Sequence, residues 1–169
     1  MSSTSQTPET NVLLDYLNAQ RRHVLGILEG LDEDALRRAV LPSGWSCLGL
    51  VQHLALDDER FWFQAVVAGD QTVINEVMNA PEDSWEIGPD VTAEQVFDLY
   101  REQMDRSNAI IEATPLDAEP AWWPDFFPNF RLEDLRKVIL HVLTETAVHA
   151  GHLDATREII DGRTWLVLS

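Results

Sequence analysis

Four long stretches of this sequence repeat their apolar residues at steps of three, four and seven. No convincing run alternates them in twos, so the chain is expected to fold entirely from amphipathic helices. In the first, Pro8 to Leu31, the stripe is Leu13, Leu17, Val24, Leu28 and Leu31, with Thr7 ahead of a Pro that suits the first helical position. In the second, Ser46 offers an N-cap to Cys47–Val67, whose stripe includes Leu50, Leu54, Phe61 and Ala65; Gly69 stands near its end. His53, Asp57 and Arg60 fall on an adjoining face at helical spacing. In the third, Thr92 and Gln95 form a capping-box pattern, and Val96, Leu99, Gln103, Ile110 and Ile111 continue toward Thr114 and Pro115. The fourth runs from Leu132 to Asp161 and stops before Gly162, where a glycine can take the left-handed conformation that ends helices.

The connections differ in kind. Asp32 to Arg38 has room for one or two helical turns before Pro42 and Gly44 interrupt it. Gly69 to Asp90 loses clear periodicity and reads as a long crossover with a short helix around Val73 to Met78. Ala121 to Phe130, AWWPDFFPNF, is broken by Pro124 and Pro128 and reads as a packed loop. The economical architecture is an all-α, antiparallel four-helix bundle with a long crossover between its second and third helices. At 169 residues with 45% apolar content, one domain spanning 1–169 can bury a sizeable core; residues 1–7 are expected to be flexible.

The surface chemistry narrows the partners. Twelve Lys plus Arg stand against 29 Asp plus Glu, a net charge of −17 that repels phosphate backbones and anionic lipid heads, so neither nucleic acid nor membrane is expected. No apolar run approaches the roughly 20 residues that span a bilayer, and the polar start lacks an export signal. The single cysteine, Cys47, excludes an intrachain disulfide, suits a reducing cytoplasm and reads as a small core residue. A small-molecule substrate remains the expected partner, along with a homodimer formed by an exposed helix face.

Chemistry concentrates on the last helix. His141, Glu145, His149 and His152 follow one another at steps of four, four and three, sharing one face over about three turns. Glu145 and His149 can aim an oxygen and a ring nitrogen at one ion, and His53 on the second helix is the best further ligand, giving a His2Glu set with an open position. Zinc fits this set; nickel, iron and manganese fit it too. His141 and His152 are alternative ligands, and a structural role competes for each. Asp57, one turn from His53, is either an acceptor that orients the imidazole or part of the solvated face Asp57–Arg60. Trp45, Trp62, Trp122 and Trp123 either line a pocket near the metal or plug the core. His23 carries no assigned function. Nucleophile elbows, phosphate-binding glycine loops and paired-cysteine zinc motifs are all missing from the sequence.

SGWSCLGLVQHLALDDERFWF, Ser43 to Phe63, and HVLTETAVHAGHLDATREIIDG, His141 to Gly162, together resemble the DinB-like superfamily of metal-binding helical bundles. The closer likeness is to its mycothiol-dependent branch, through the Trp-Ser entry to the second helix, the His seven residues after that Ser, and the E-x-x-x-H-x-G-H element. The resemblance implies a divalent metal held by His53, Glu145 and His149, with a carboxylate at the Glu145 position as in the mycothiol-dependent maleylpyruvate isomerases. It also implies that zinc activates the thiol of a low-molecular-weight cofactor such as mycothiol, because a cationic metal stabilises the reactive thiolate at neutral pH. Those isomerases carry a second domain after the bundle, whereas this sequence ends at Ser169, which points away from maleylpyruvate as substrate.

Three functions follow as expectations. The first is a metal-dependent thiol S-transferase. The second is a metal-dependent hydrolase that makes hydroxide from water, with Asp57 or Asp154 as base. The third is a non-catalytic metal-binding or stress-related protein whose site is closed by His152 or His141.

Overall fold

Each helix begins on a side chain that satisfies backbone donors its own ladder leaves free. In the computed structural model, which describes residues 7–79 and 83–165, Thr7 Oγ1 accepts from the Thr10 amide at 3.2 Å to start α1 (Pro8–Leu28). The expectation for 1–7 otherwise lies outside the described residues. Asp32 caps the short α2 (Glu33–Arg37), and Ser46 Oγ accepts from the Gly49 amide at 3.0 Å to start α3 (Cys47–His53). After α4 (Gln71–Asn79), the expected capping box opens α5 (Ala93–Ala113): the Gln95 amide donates to Thr92 Oγ1, and the Thr92 amide to Gln95 Oε1. Asp134 caps α6 (Leu135–Asp161), so this helix starts three residues later than its apolar stripe suggests; it ends on Gly162 at φ 80°. Among the described residues there is no strand.

One element departs from the expected regular α-helix. From Leu54 to Val67 the chain continues α3 without a break but winds as a π-helix, and the Ala68 amide reaches back five residues to the Phe63 carbonyl at 3.0 Å. The wider turn buries Asp58 and Glu59 together with Phe61, Trp62 and Phe63.

The core falls into two apolar clusters. One gathers Leu14, Leu17, Phe63, Val66, Ile111 and Val142; the other gathers Val24, Ile27, Leu50, Leu54, Val96 and Leu153. α1 and α6 lie side by side in the same direction, tied at one end by Arg136 to Glu9 at 2.6 Å and further along by His23 to Asp154 at 2.7 Å. Between the clusters sits a polar layer. Arg21, fully buried, forks onto Glu59 at 2.7 and 2.5 Å, and its third nitrogen donates to Asn18 and Asn108. The Arg21 and Glu59 charges are thus paired and hydrogen-bonded, as burial demands.

The Pro-broken stretch is the packed loop expected from its sequence. The Ala121 and Trp122 amides donate to the carbonyls of Val67 and Val66, which pins the loop across the end of the π-helix, and Phe127 stacks on Trp62 with 4° between planes.

Candidate metal centre

His53 stands where α3 passes into the π-helix, so its backbone is held by continuous helix on both sides. Its Nδ1 donates to Asp57 Oδ2 at 2.8 Å, and the Ser84 hydroxyl donates to the same carboxylate oxygen. Asp57 thus accepts from the imidazole while its side chain stays half exposed, so the two sequence readings of it are compatible. Burial alone would raise the Asp57 carboxyl; the bonds from His53 and Ser84 outweigh it and hold the group below the usual carboxylate range. With Nδ1 engaged, Nε2 of His53 is the nitrogen left for a ligand. Trp85 fixes the ring plane, stacked at 4.2 Å and 19°. Gly49 makes that approach feasible, because a Cβ there would collide with the Trp85 carbonyl oxygen.

Across the cleft, α6 presents Glu145 and His149 one turn apart, with His149 Nε2 4.0 Å from Glu145 Oε2. Burial, aided by the neighbouring His53 and His152, pushes the His149 imidazole down to about 4. At neutral pH it is therefore a neutral ring with a lone pair, the form a metal requires.

The third arm is Asp58, which helical spacing did not single out. One ligand atom from each of His53, Asp58 and His149 falls within 4.8 Å of the others. Asp58 is only 5% exposed, and its Oδ2 has no hydrogen-bond partner among the described residues. Burial raises its carboxyl well above the ordinary range, and the charges of Glu145, Glu59 and Asp57 add to the rise. A buried carboxylate oxygen without a donor, beside two imidazoles, is a group short of a cation. Two imidazole nitrogens and carboxylate oxygen suit zinc and other first-row divalent ions, so the residues present fit a metal.

The remaining histidines fall around this group. His152 Nδ1 lies 3.4 Å from His149 Nδ1, on the side of the ring away from Glu145, and its own ring is tilted against Trp45. His141 meets Trp62 edge-on at 4.7 Å, and burial lowers its imidazole against the opposing pull of Glu145. His23 is bound to Asp154 and stacked on Trp165. Cys47 is fully buried, and burial raises its thiol to about 11, so it offers no thiolate at neutral pH.

Two contiguous clefts open beside the group. One, about 350 Å³, is walled by Phe61, Trp62, Phe126 and Phe127 and reaches His53, Asp58, His141 and Glu145. The other, about 390 Å³, shares Asp57, Phe61 and Val77 with it and carries Gln52, Arg60, Ser84 and Glu86. Of the tryptophans singled out in the sequence, Trp62 therefore lines the pocket; Trp85, which was not, sits against His53 and His149. Its Ser84-Trp85 dipeptide lies in the aperiodic crossover and gave no spacing signal.

None of the helices among the described residues is long and apolar enough to cross a membrane. A family model described as mycothiol-S-transferase matches residues 12–162. No curated protein matches the chain.

Proposed function

Because the chain belongs to the mycothiol S-transferase family, within the DinB-like superfamily its two motifs resemble, we propose that it transfers a small thiol to an electrophile using a divalent metal. The fold that accompanies this reading is the superfamily's four-helix bundle, formed by α1, α3 with its π-helical continuation, α5 and α6, with the long crossover carrying α4. His53 and His149 hold the ion through their ring nitrogens. Asp58 and Glu145 would supply carboxylate oxygen, and a thiol would complete the set. The observation that carries this reading is the convergence of two imidazoles on the carboxyl of buried Asp58, which has an oxygen without a hydrogen-bond partner among the described residues.

When bound, the ion supplies a positive charge that lowers the pKa of a thiol sulfur beside it. Asp57 and Ser84 keep His53 in the tautomer and orientation its role needs, and Trp85 covers the ring from water. The second cleft, lined by Asp83, Ser84 and Glu86 beside the Arg60–Glu76 pair, receives the polar body of a thiol such as mycothiol; the aromatic cleft receives the electrophile. The protein's own Cys47 stays a spectator. A cytoplasmic location accords with a free thiol cofactor, and the exposed Val12, Tyr16, Leu140, Val148 and Ile159 on α1 and α6 support a homodimer.

The test is metal analysis joined to turnover. Purified protein is expected to hold about one divalent ion per chain, with zinc the first candidate, and to conjugate mycothiol to a bromobenzyl compound. His149→Ala is expected to lose both ion and activity while keeping its helical circular dichroism. A wild-type protein that binds no divalent ion when properly folded overturns the proposal.

A further inference from the structure

The aromatic cleft has a charge pattern as well as a shape. Phe61, Trp62, Phe126 and Phe127 wall it, with ring pairs ranging from stacked to edge-on, leaving a slot suited to a flat apolar body. Its titratable lining is Asp57, Asp58 and Glu145 with the imidazoles of His53 and His141, and among the described residues neither Lys nor Arg lines it. The nearest guanidiniums are spent elsewhere. Arg60 is bound to Glu76, and Arg131 lies over the Trp123 ring. Asp58 reaches the cleft 5% exposed, with an oxygen that no protein group satisfies.

From this combination we propose that the electrophile is a planar aromatic compound without negative charge, and that the cleft rejects anionic electrophiles. The inference rests on the thiol-transfer reading for its reaction but not for its binding. A dication held at the centre would be offset by the two carboxylates that hold it. Asp57 and an incoming thiolate would then leave the cleft net negative. An anionic substrate would meet repulsion at short range in a half-buried setting, where charge interactions are several-fold stronger than in water. A neutral or cationic ring meets instead aromatic faces, whose quadrupoles favour a positive group. In the transfer itself, thiolate sulfur forms a bond to the benzylic carbon of a substrate such as a benzyl bromide. The carbon–bromine bond breaks, bromide leaves with the electron pair, and the thiol proton passes to solvent.

The experiment separates binding from turnover. Calorimetry on zinc-loaded protein compares three unreactive ligands of one shape: 4-methylbenzyl alcohol, 4-methylphenyltrimethylammonium and 4-methylbenzenesulfonate. The sulfonate is expected to bind about tenfold or more weakly than the alcohol, and the cation at least as well as the alcohol. The corresponding bromomethyl compounds are expected to show the same order in kcat/KM with mycothiol, each divided by its uncatalysed rate. Sulfonate binding equal to that of the alcohol overturns the inference. The binding order without turnover of any bromide supports it and overturns the transferase reading alone.

Phe126 provides the local control, being 52% exposed and therefore replaceable without loss of core. Phe126→Ala is expected to weaken all three ligands alike. Phe126→Lys is expected to bring the sulfonate level with the alcohol or above it, although it alters the chain's net charge of −17 by a single unit. If Phe126→Lys leaves the order unchanged, the discrimination belongs to the protein's overall field, and the proposal for this cleft fails.

Discussion

His53 and Asp58, five residues apart, bring ligand atoms within 4.8 Å of each other and of His149. A regular α-helix sets residues three and four apart on one face; the i to i−5 winding of Leu54–Val67 brings the fifth residue, Asp58, to His53 as well as the fourth, Asp57. Asp58 is thus held in the cleft by the backbone of its helix, and no hydrogen bond compensates the burial of its Oδ2. Asp58→Asn is accordingly expected to separate function from stability. Affinity for zinc should fall by about tenfold or more, whereas the metal-free protein should gain on the order of 1 kcal/mol once the cost of burying this carboxyl among other acids is removed. Competitive chelator titration and denaturant unfolding of stripped protein measure the two effects. Equal loss of both, or unchanged affinity, removes Asp58 from the site.

Asp57 acts one step further out. It accepts from His53 Nδ1 and from Ser84, so its removal frees the imidazole to rotate without deleting a ligand. Asp57→Asn should cost about 10–100-fold in metal affinity while leaving the stoichiometry at one ion per chain. An unchanged affinity would return Asp57 to the solvated face.

Two glycines provide a paired prediction about the wall of the site. At Gly49 an added methyl would run into the Trp85 carbonyl, a backbone atom with no rotamer to escape by. Gly49→Ala should cost about 1–3 kcal/mol and loosen Trp85 from His53, detectable as a change in tryptophan fluorescence. At Gly151, in α6, the same methyl meets open space, so Gly151→Ala should be neutral or stabilise by about 0.5–1 kcal/mol. Equal effects at the two positions would mean that Trp85 does not pack against α3.

The buried ion pair behind the site makes the third contrast. Arg21→Met leaves Glu59 uncompensated in a fully buried layer and should cost about 3–5 kcal/mol. The double replacement Arg21→Met, Glu59→Met should recover most of that loss, because neither charge is then buried alone. Unfolding in urea gives both values; a double variant as unstable as the single one would assign the loss to packing.

These residues also mark how far the sequence could be read. Thr7, Ser46, Thr92 and Gly162 announce helix ends by local chemistry, and each cap forms as expected. His53, Glu145 and His149 were reachable through α-helical spacing and family likeness; the structure groups ligand atoms of His53 and His149 with Asp58, and Glu145 stands beside that group, 4.0 Å from His149. Asp58 was hidden because period-based reading assumes α-winding, and nothing in LALDDERFWF announces the wider turn. Trp85 and Ser84 were hidden for a different reason: they approach His53 from a long aperiodic crossover, where contact is set by tertiary packing around Gly49.

Cys47 gives a prediction about alkaline stability. Its thiol is fully buried and raised from an ordinary value of 9.0 to about 11, chiefly by desolvation, with Arg157 pulling weakly the other way. The folded state therefore holds the proton that the unfolded chain releases. This contribution is intact below pH 9 and is lost as pH rises toward about 11, where it amounts to roughly 2–3 kcal/mol. Tyr100, buried and raised in the same direction from an ordinary value of 10.0, adds to the loss from about pH 10 upward. Cys47→Ala should therefore flatten the decline in unfolding free energy between pH 9 and 11 without abolishing the steeper fall beyond it. Native protein should likewise resist iodoacetamide at pH 9 while urea-unfolded protein reacts. Rapid alkylation of the native chain at that pH would mean a thiolate is available, and Cys47 would then re-enter the account as a nucleophile.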